Sequence, residues 1–377
     1  MSSTEPSILF IDDRPDEMPG YSDGLQGMAK AEVLHPAEIT QGQLDSADLV
    51  LIDYRLESWP TRDNATEMGL KPMDGLALAA VLRAHTYVNH RAPSPVAFGI
   101  LSAHLPELAG GLPPRHREHM IARAHNLEWV FQKSTPRQDL IRQFVSLANA
   151  VKDLPPEWPV DRPEDARVHL KTLLDLPDGD WTERAVEEIE ECHPPIHELS
   201  EWTHGLELLR WLLHRIFPHP CFLLDTHYMA ARLRVTHTSL VAALEGKLGT
   251  ALKPIEYSGI LSAFPGSRWW RSGVESWLWE VTGQQSFDAN TVRASMKELI
   301  GNDLMAATQD EPVICIDRNY ETTNEFADAR DAVRLQPDDW PPYADQAWTT
   351  IKLASEDPIL RSLVVERDRD RLGPVEK

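Results

Sequence analysis

The sequence predicts an α/β amino-terminal half, a (βα)5 doubly wound parallel sheet, joined to a mostly α-helical second half with a helix-turn-helix-like core. Three observations carry that prediction. Up to residue 152, short apolar runs that close on a polar residue alternate with stretches of helical spacing, the pattern of strands covered on both faces by crossover helices. A proline-rich joint follows at 153–163. Beyond it, long amphipathic segments dominate, and residues 225–244 carry the spacing of two short helices about a tight turn.

Composition narrows the function. The 377 residues allow two or three domains, and 42% hydrophobic content supplies a core. No apolar run reaches membrane-spanning length, and the first residues lack a basic stretch followed by an apolar one, so neither a span nor a signal peptide is expected. Three scattered cysteines (Cys192, Cys221, Cys315) point to a reducing cytoplasm and no disulfide framework. The formal net charge of −22 opposes non-specific association with nucleic acid or anionic lipid, without forbidding a local basic face.

Taken in order, Ser7 to Ile11 reads as a buried strand ending in Asp12-Asp13. Gly20 and Gly24 fall in a loop or short helix, and Ala31 to Leu34 forms a brief strand. The stretch from Asp48 to Asp53 is the organising strand: Leu49-Val50-Leu51-Ile52 is apolar on both faces and ends on one carboxylate. Glu57 to Pro72 reads as a long loop and Met73 to Arg83 as a helix. Pro95 to Leu101 is a strand closing on Ser102-Ala103, Arg115 to His125 a helix, and Glu128 to Gln132 a strand ending at Lys133. Pro136 opens a helix to about Val151.

Parallel strands joined by right-handed crossovers bring their carboxyl ends to one edge, where open α/β sheets bind ligands. Asp12, Asp13, Asp53, Ser102 and Lys133 are therefore expected to meet. Three carboxylates together call for a cation, and hard oxygen donors suit Mg²⁺. The Ser102 hydroxyl and the Lys133 ammonium supply donors for an anion beside it. These are the parts that neutralise a transferring phosphoryl group, with Asp53 as nucleophile.

On these residues, together with Asp74-Gly75, segment 7–152 resembles the receiver domain of two-component response regulators, whose fold is flavodoxin-like. The resemblance implies that Asp53 accepts phosphate from a histidine kinase or phosphotransfer protein. It implies that Ser102 and Lys133 assist, and that the backbone carbonyl of Arg55 joins Asp12, Asp13 and Asp53 around Mg²⁺. Three departures stand out. Residues 54–73 are an insertion beside the acceptor. Ser134 follows Lys133 where the family has proline. Val130 stands where the family carries its switch aromatic, with Trp129 one residue earlier. Arg55 and His104 flank the acceptor and are expected to tune the lifetime of the acyl phosphate. A haloacid-dehalogenase type of phosphatase would need a second Asp two residues after the nucleophile; Arg55 follows Asp53 there, and Arg14 follows Asp12.

In the second half, Ala166 to Leu174, Thr182 to Glu191 and His197 to Ile216 read as helices. Pro194-Pro195 breaks the register that would align Cys192, His193, His197 and His204 for zinc, and no Cys-x-x-Cys accompanies them. From Asp225 to Leu244, Ala230, Leu233, Val235, Leu240 and Leu244 hold helix-turn-helix core positions, with Arg234 at the turn position that favours glycine. Thr236, His237, Thr238 and Ser239 open the second helix and would be the DNA contacts of such a motif. Residues 225–275 hold six Lys/Arg against four acids, a local surplus. Trp269-Trp270, Trp277 and Trp279 read as core and interface filling rather than a base-stacking platform. Residues 164–310 form this helical domain. Residues 311–377 form a small capping region, with an apolar strand from Pro312 to Asp317 and a charged tail from Glu366 that frays.

The expected protein is a cytoplasmic, phosphorylation-gated signalling regulator and not an enzyme beyond its own phosphorylation and dephosphorylation. Its output is protein association, including homodimerisation. The alternatives are phosphorylation-controlled DNA binding and a phosphate sink without direct output.

Overall fold

A computed structural model describes residues 5–59, 72–88, 95–112, 117–155, 163–196, 205–264, 266–284, 288–301, 304–323, 325–338, 340–341 and 343–373. Most of the insertion 54–73 and of the joint 153–163 therefore lies outside the described residues, as do His197, His204 and the last four residues.

The first half runs β1 (Ser7–Ile11), α1 (Pro19–Gly24), β2 (Lys30–Leu34), α2 (Gln41–Ser46), β3 (Leu49–Asp53), α3 (Gly75–Val88), β4 (Ala97–Ser102), α4 (Leu105–Leu108), α5 (Arg117–Ala124), β5 (Trp129–Gln132) and α6 (Arg137–Lys152). The five strands form one sheet in the order β2-β1-β3-β4-β5, every pair parallel. Alternation along the central strands divides two layers. Ile8, Phe10, Leu49 and Leu51 pack under α6, where Phe144 and Leu147 are fully buried. Leu9, Ile11, Val50 and Ile52 face α3 and α5 through Leu78, Leu82 and Ile121. Burial on both faces is what let these runs dispense with polar alternation. The sequence missed α2, which starts with a capping box of Thr40 and Gln43.

The second half continues as α7 (Pro163–Leu173), α8 (Thr182–Glu191), α9 (Leu206–Trp211), β6 (Leu223–Leu224), α10 (Thr226–Arg232), α11 (His237–Leu244), α12 (Lys247–Leu252), β7 (Trp269–Trp270), α13 (Arg271–Val281) and α14 (Ala289–Ile300). The last turn of the α9 helix, Leu212–Ile216, is π-helical. The apolar layer under α6 does not stop at the joint. Leu147, Val151 and Leu154 belong to one continuous cluster with Leu174, Ile189, Leu209, Leu213, Phe222 and Trp270.

Around the helix-turn-helix, Ala230, Leu233, Val235 and Leu240 are buried as their spacing predicts, Leu244 is only partly buried, and Met229, which the spacing did not single out, joins the core. Arg234 takes φ +59°, the left-handed turn conformation that glycine would occupy. Asp225 caps α10 by accepting from the amides of His227 and Tyr228, and Thr236 caps α11 by accepting from Ser239. Trp269 and Trp270 are buried in the β6–β7 pair, so neither offers a face to a base.

The remaining unit holds β8 (Pro312–Val313), β9 (Ala327–Asp328), β10 (Ala332–Leu335), β11 (Ala347–Thr350), α15 (Ile351–Glu356) and α16 (Pro358–Leu363), the last four of which contribute to a small core of its own. Two expectations change here. The apolar run from Pro312 pairs as a strand for two residues only, antiparallel to β9. The charged tail, expected to fray, forms a 3-10 helix over Glu366–Arg371. Asp368, 2% exposed, accepts the backbone amide and two guanidinium N–H groups of Arg334, which hold its carboxyl down at about 2.

Candidate functional site

The parallel register sets Ile11 beside Ile52, Asp53 beside Leu101 and Ser102 beside Gln132. Asp12-Asp13, Asp53, Ser102 and Lys133 therefore end β1, β3, β4 and β5 at one edge. Asp13, Asp53, Ser102 and Lys133 line a single cleft of about 310 Å³, with Tyr54, Arg55, Ser58 and His104 on its rim.

Asp53 is held from two sides. Its Oδ1 accepts from the Lys133 ammonium, and its Oδ2 accepts from the Arg55 amide at 3.0 Å. Asp13 Oδ2 accepts from the Ser58 amide, and Asp12 Oδ1 from the Arg14 amide at 2.8 Å. Among the described residues the second oxygens of Asp12 and Asp13 accept no hydrogen bond. Burial pushes the Asp12 carboxyl up against the pull of the Arg14 amide. The nearby charges of Asp53 and Asp13 add to the rise, and Lys133 opposes it. Among the described residues, no three His, Cys, Asp or Glu side chains are grouped so as to hold a metal ion by themselves.

The loop after β3 is fixed by backbone pairing. The Gly75 amide donates to the Tyr54 carbonyl at 2.8 Å, and Arg55 bridges to Asp74. A Cβ on Gly75 would stand 2.2 Å from the backbone oxygen of Asp53, so only glycine lets α3 start this close to that residue. Ser102 is 1% exposed, and its Oγ accepts from the His104 amide at 2.9 Å, leaving its O–H to point elsewhere. Arg55 and His104 line the same cleft as Asp53 and share one partner. Arg55 donates to Glu107 at 2.7 Å, and His104 Nδ1 lies 3.1 Å from the same carboxylate. Those two hydrogen bonds hold Glu107 below its ordinary range. Glu107 was missed in the sequence because nothing local marks a residue 52 positions from Arg55 as its partner.

The four residues at the start of α11 lie far from this cleft in sequence and are largely occupied. Ser239 Oγ accepts from the Met305 amide at 3.0 Å, and the Thr236 amide donates to the Met305 carbonyl at 2.9 Å. His237 Nε2 sits 2.9 Å from Thr226 Oγ1, and its ring stacks on His227 with centroids 3.7 Å apart. Thr238 alone is exposed. Along the same outer face follow Val241, Ala242 and Glu245, with Met305 beside them.

The far edge of the sheet meets the second half through charge and aromatic rings. Glu128, fully buried before β5, accepts from Arg210 of α9 at 2.5 Å and pairs with Arg83 of α3 at 3.4 Å. Trp129 stacks on His214 at 5.8 Å, and His119 stands edge-on to it at 4.9 Å. Among the described residues, no helix is long and apolar enough to cross a membrane.

No family model matches the chain, and no curated protein matches it. Among solved structures the chain is similar to the response regulator ChrA of a heme-sensing two-component system, at 14% identity and a TM-score of 0.24, over 66% of this chain and 90% of that one. It is also similar to the two-component response regulator RcsB, solved with DNA, at 13% identity and a TM-score of 0.27, over 55% of this chain and 92% of that one. At these scores the functional reading rests on the chain's own site: a five-stranded parallel sheet whose carboxyl edge gathers three acids, a buried hydroxyl and an ammonium.

Proposed function

We propose that this chain is a response regulator that accepts a phosphoryl group on Asp53 and passes the change to its helical half. The observation that carries the reading is the Lys133–Asp53 contact across 80 residues of chain, inside a cleft that Ser102 and Asp13 also line. In the reaction a carboxylate oxygen of Asp53 attacks phosphorus, the bond from phosphorus to the donor breaks, and the donor leaves with the electron pair. Lys133 and the Ser102 O–H face the oxygens that carry the charge, and the Arg55 amide keeps the Asp53 carboxylate oriented. The oxygens of Asp12 and Asp13 that accept no hydrogen bond among the described residues, with the Arg55 carbonyl, suit Mg²⁺. That ion is held by one or two carboxylates and keeps several waters, so three converging side chains are not required. Bound there, it would offset the carboxylate charge and polarise the phosphoryl oxygens. The donor is a histidine kinase or phosphotransfer protein, and Glu107, by fixing Arg55 and His104, controls water at the acyl phosphate.

The outer face of α11 favours protein association as the output. It presents Thr238, Val241, Ala242 and Glu245 beside an exposed Met305, where a DNA-reading helix would present amide or guanidinium groups. DNA binding is the second reading, supported by the formed turn at Arg234.

Incubation of the full chain with a small phosphodonor and Mg²⁺, read by intact mass, tests the acceptor. One phosphoryl group is expected on the wild type and none on Asp53→Asn. Lys133→Ala should accept at least about tenfold more slowly. Equal labelling of Asp53→Asn would remove the reading. Sedimentation with and without the phosphodonor tests the output. Salt-sensitive binding to DNA fragments, with no change in self-association, would transfer it to the second reading.

A further inference from the structure

A second cleft, of about 760 Å³, opens between the two halves. That is within the size of small-molecule sites, which favour such junctions. One wall is the end of α5 and the turn after it, with Arg123 and Leu127. The other runs from Ile196, after α8, to Trp211 and Arg215 on the α9 helix. That helix wall includes His214 and Arg215 of the π-helical turn Leu212–Ile216. Such turns are rare and recur at functional sites.

The charge of the lining is unusual for this chain. Four arginines face two glutamates, a positive excess within a protein of net charge −22. Two arginines are committed: Arg167 to Glu164 and Glu190, and Arg210 to Glu128. Arg123 and Arg215 pair with no carboxylate among the described residues. Burial raises the pKa of the Tyr343 hydroxyl, and Arg215 lies close enough to it to lower that pKa. Leu127, Ile196 and Trp211 are buried apolar side chains on the same walls.

We propose that this cleft binds a small organic anion, with a phosphate or carboxylate group held by Arg123 and Arg215 and an apolar or ring-bearing body against Leu127, Ile196 and Trp211. Guanidinium groups recognise both kinds of oxyanion through paired N–H donors. Because the walls come from both halves, the ligand stabilises their present arrangement by mass action. The site does not depend on phosphorylation of Asp53.

The test uses the full chain at low salt with three probes, pyrophosphate, citrate and AMP, followed by calorimetry and thermal melting. At least one probe is expected to bind at one site per chain and raise the Tm. Arg123→Ala and Arg215→Ala should each weaken it about tenfold or more. Arg142→Ala, an exposed arginine of α6, removes the same charge elsewhere and should leave affinity unchanged. Selective binding of AMP would show that the ring body contributes, and binding of citrate that carboxylates suffice. Absence of binding by all three probes overturns the proposal, as does binding that Arg123→Ala and Arg215→Ala leave intact or that Arg142→Ala weakens equally. Both arginines are exposed, so their variants fold, and circular dichroism of the unliganded variants confirms it.

Discussion

Replacing Glu128 with glutamine tests how the two halves are joined. The carboxylate is fully buried. Burial pushes it up, yet Arg210, Arg83 and the Phe98 amide together hold it below its ordinary range, so it is charged at neutral pH. Glutamine keeps the shape and an oxygen for the Phe98 amide but removes the charge. Arg83, 7% exposed, and Arg210, 18% exposed, then lose the carboxylate they share. Breaking a buried pair in this way costs about 3–5 kcal/mol. Arg210→Met, at the more solvated end, costs less, about 1–3 kcal/mol. In the double variant one stranded cation disappears, so its destabilisation falls short of the sum by about 1–3 kcal/mol. Urea unfolding of the full chain at neutral pH, followed by tryptophan fluorescence, measures all three. A Glu128→Gln stability within about 0.5 kcal/mol of wild type, or strict additivity in the double variant, would refute the argument that this triad ties the sheet to α9.

Two further predictions follow from single positions. Gly75→Ala forces backbone apart at Asp53, because its Cβ meets the Asp53 carbonyl at 2.2 Å. It should cost about 1–3 kcal/mol and slow phosphate acceptance, and unchanged melting and labelling would refute it. His214 is 6% exposed, and burial, reinforced by Arg123 and Arg210 against the opposing pull of Glu128, brings its imidazole down to about 4 from 6.5. The unfolded chain therefore binds the extra proton first. Stability conferred by neutral His214 is complete above pH 6.5 and is lost as pH falls toward 4, by at most about 3 kcal/mol. His214→Phe should flatten that part of the pH profile; an identical slope in both proteins would show that the imidazole stays solvated.

The legible parts of this molecule were those that local chemistry dictates. Leu49 to Ile52 had to be a two-sided strand because nothing polar interrupts it. Once β1, β3, β4 and β5 were parallel, their terminal acids, hydroxyl and ammonium had to share an edge. The turn at Arg234 was legible from the apolar spacing around it, although arginine is a poor choice for a left-handed residue. What stayed hidden is paired over distance. Glu128 reads locally as the polar start of a strand, and its partners lie 45 and 82 residues away. Asp368 looked like part of a solvated tail because Arg334, 34 residues earlier, gives no local sign of covering it. His119, Trp129 and His214 share no periodicity, so their contact is invisible until the strands are placed.

The unbroken apolar layer from the underside of α6 to Trp270 shapes how a signal travels. A domain on a loose tether can be released, whereas here letting go would wet Leu147, Val151, Leu209 and Phe222 together. On the function proposed above, a change at Asp53 would reach the helical half through this packed layer, not by parting the two halves. For the same reason a fragment ending after α6 would carry a sticky apolar flank in place of a finished surface.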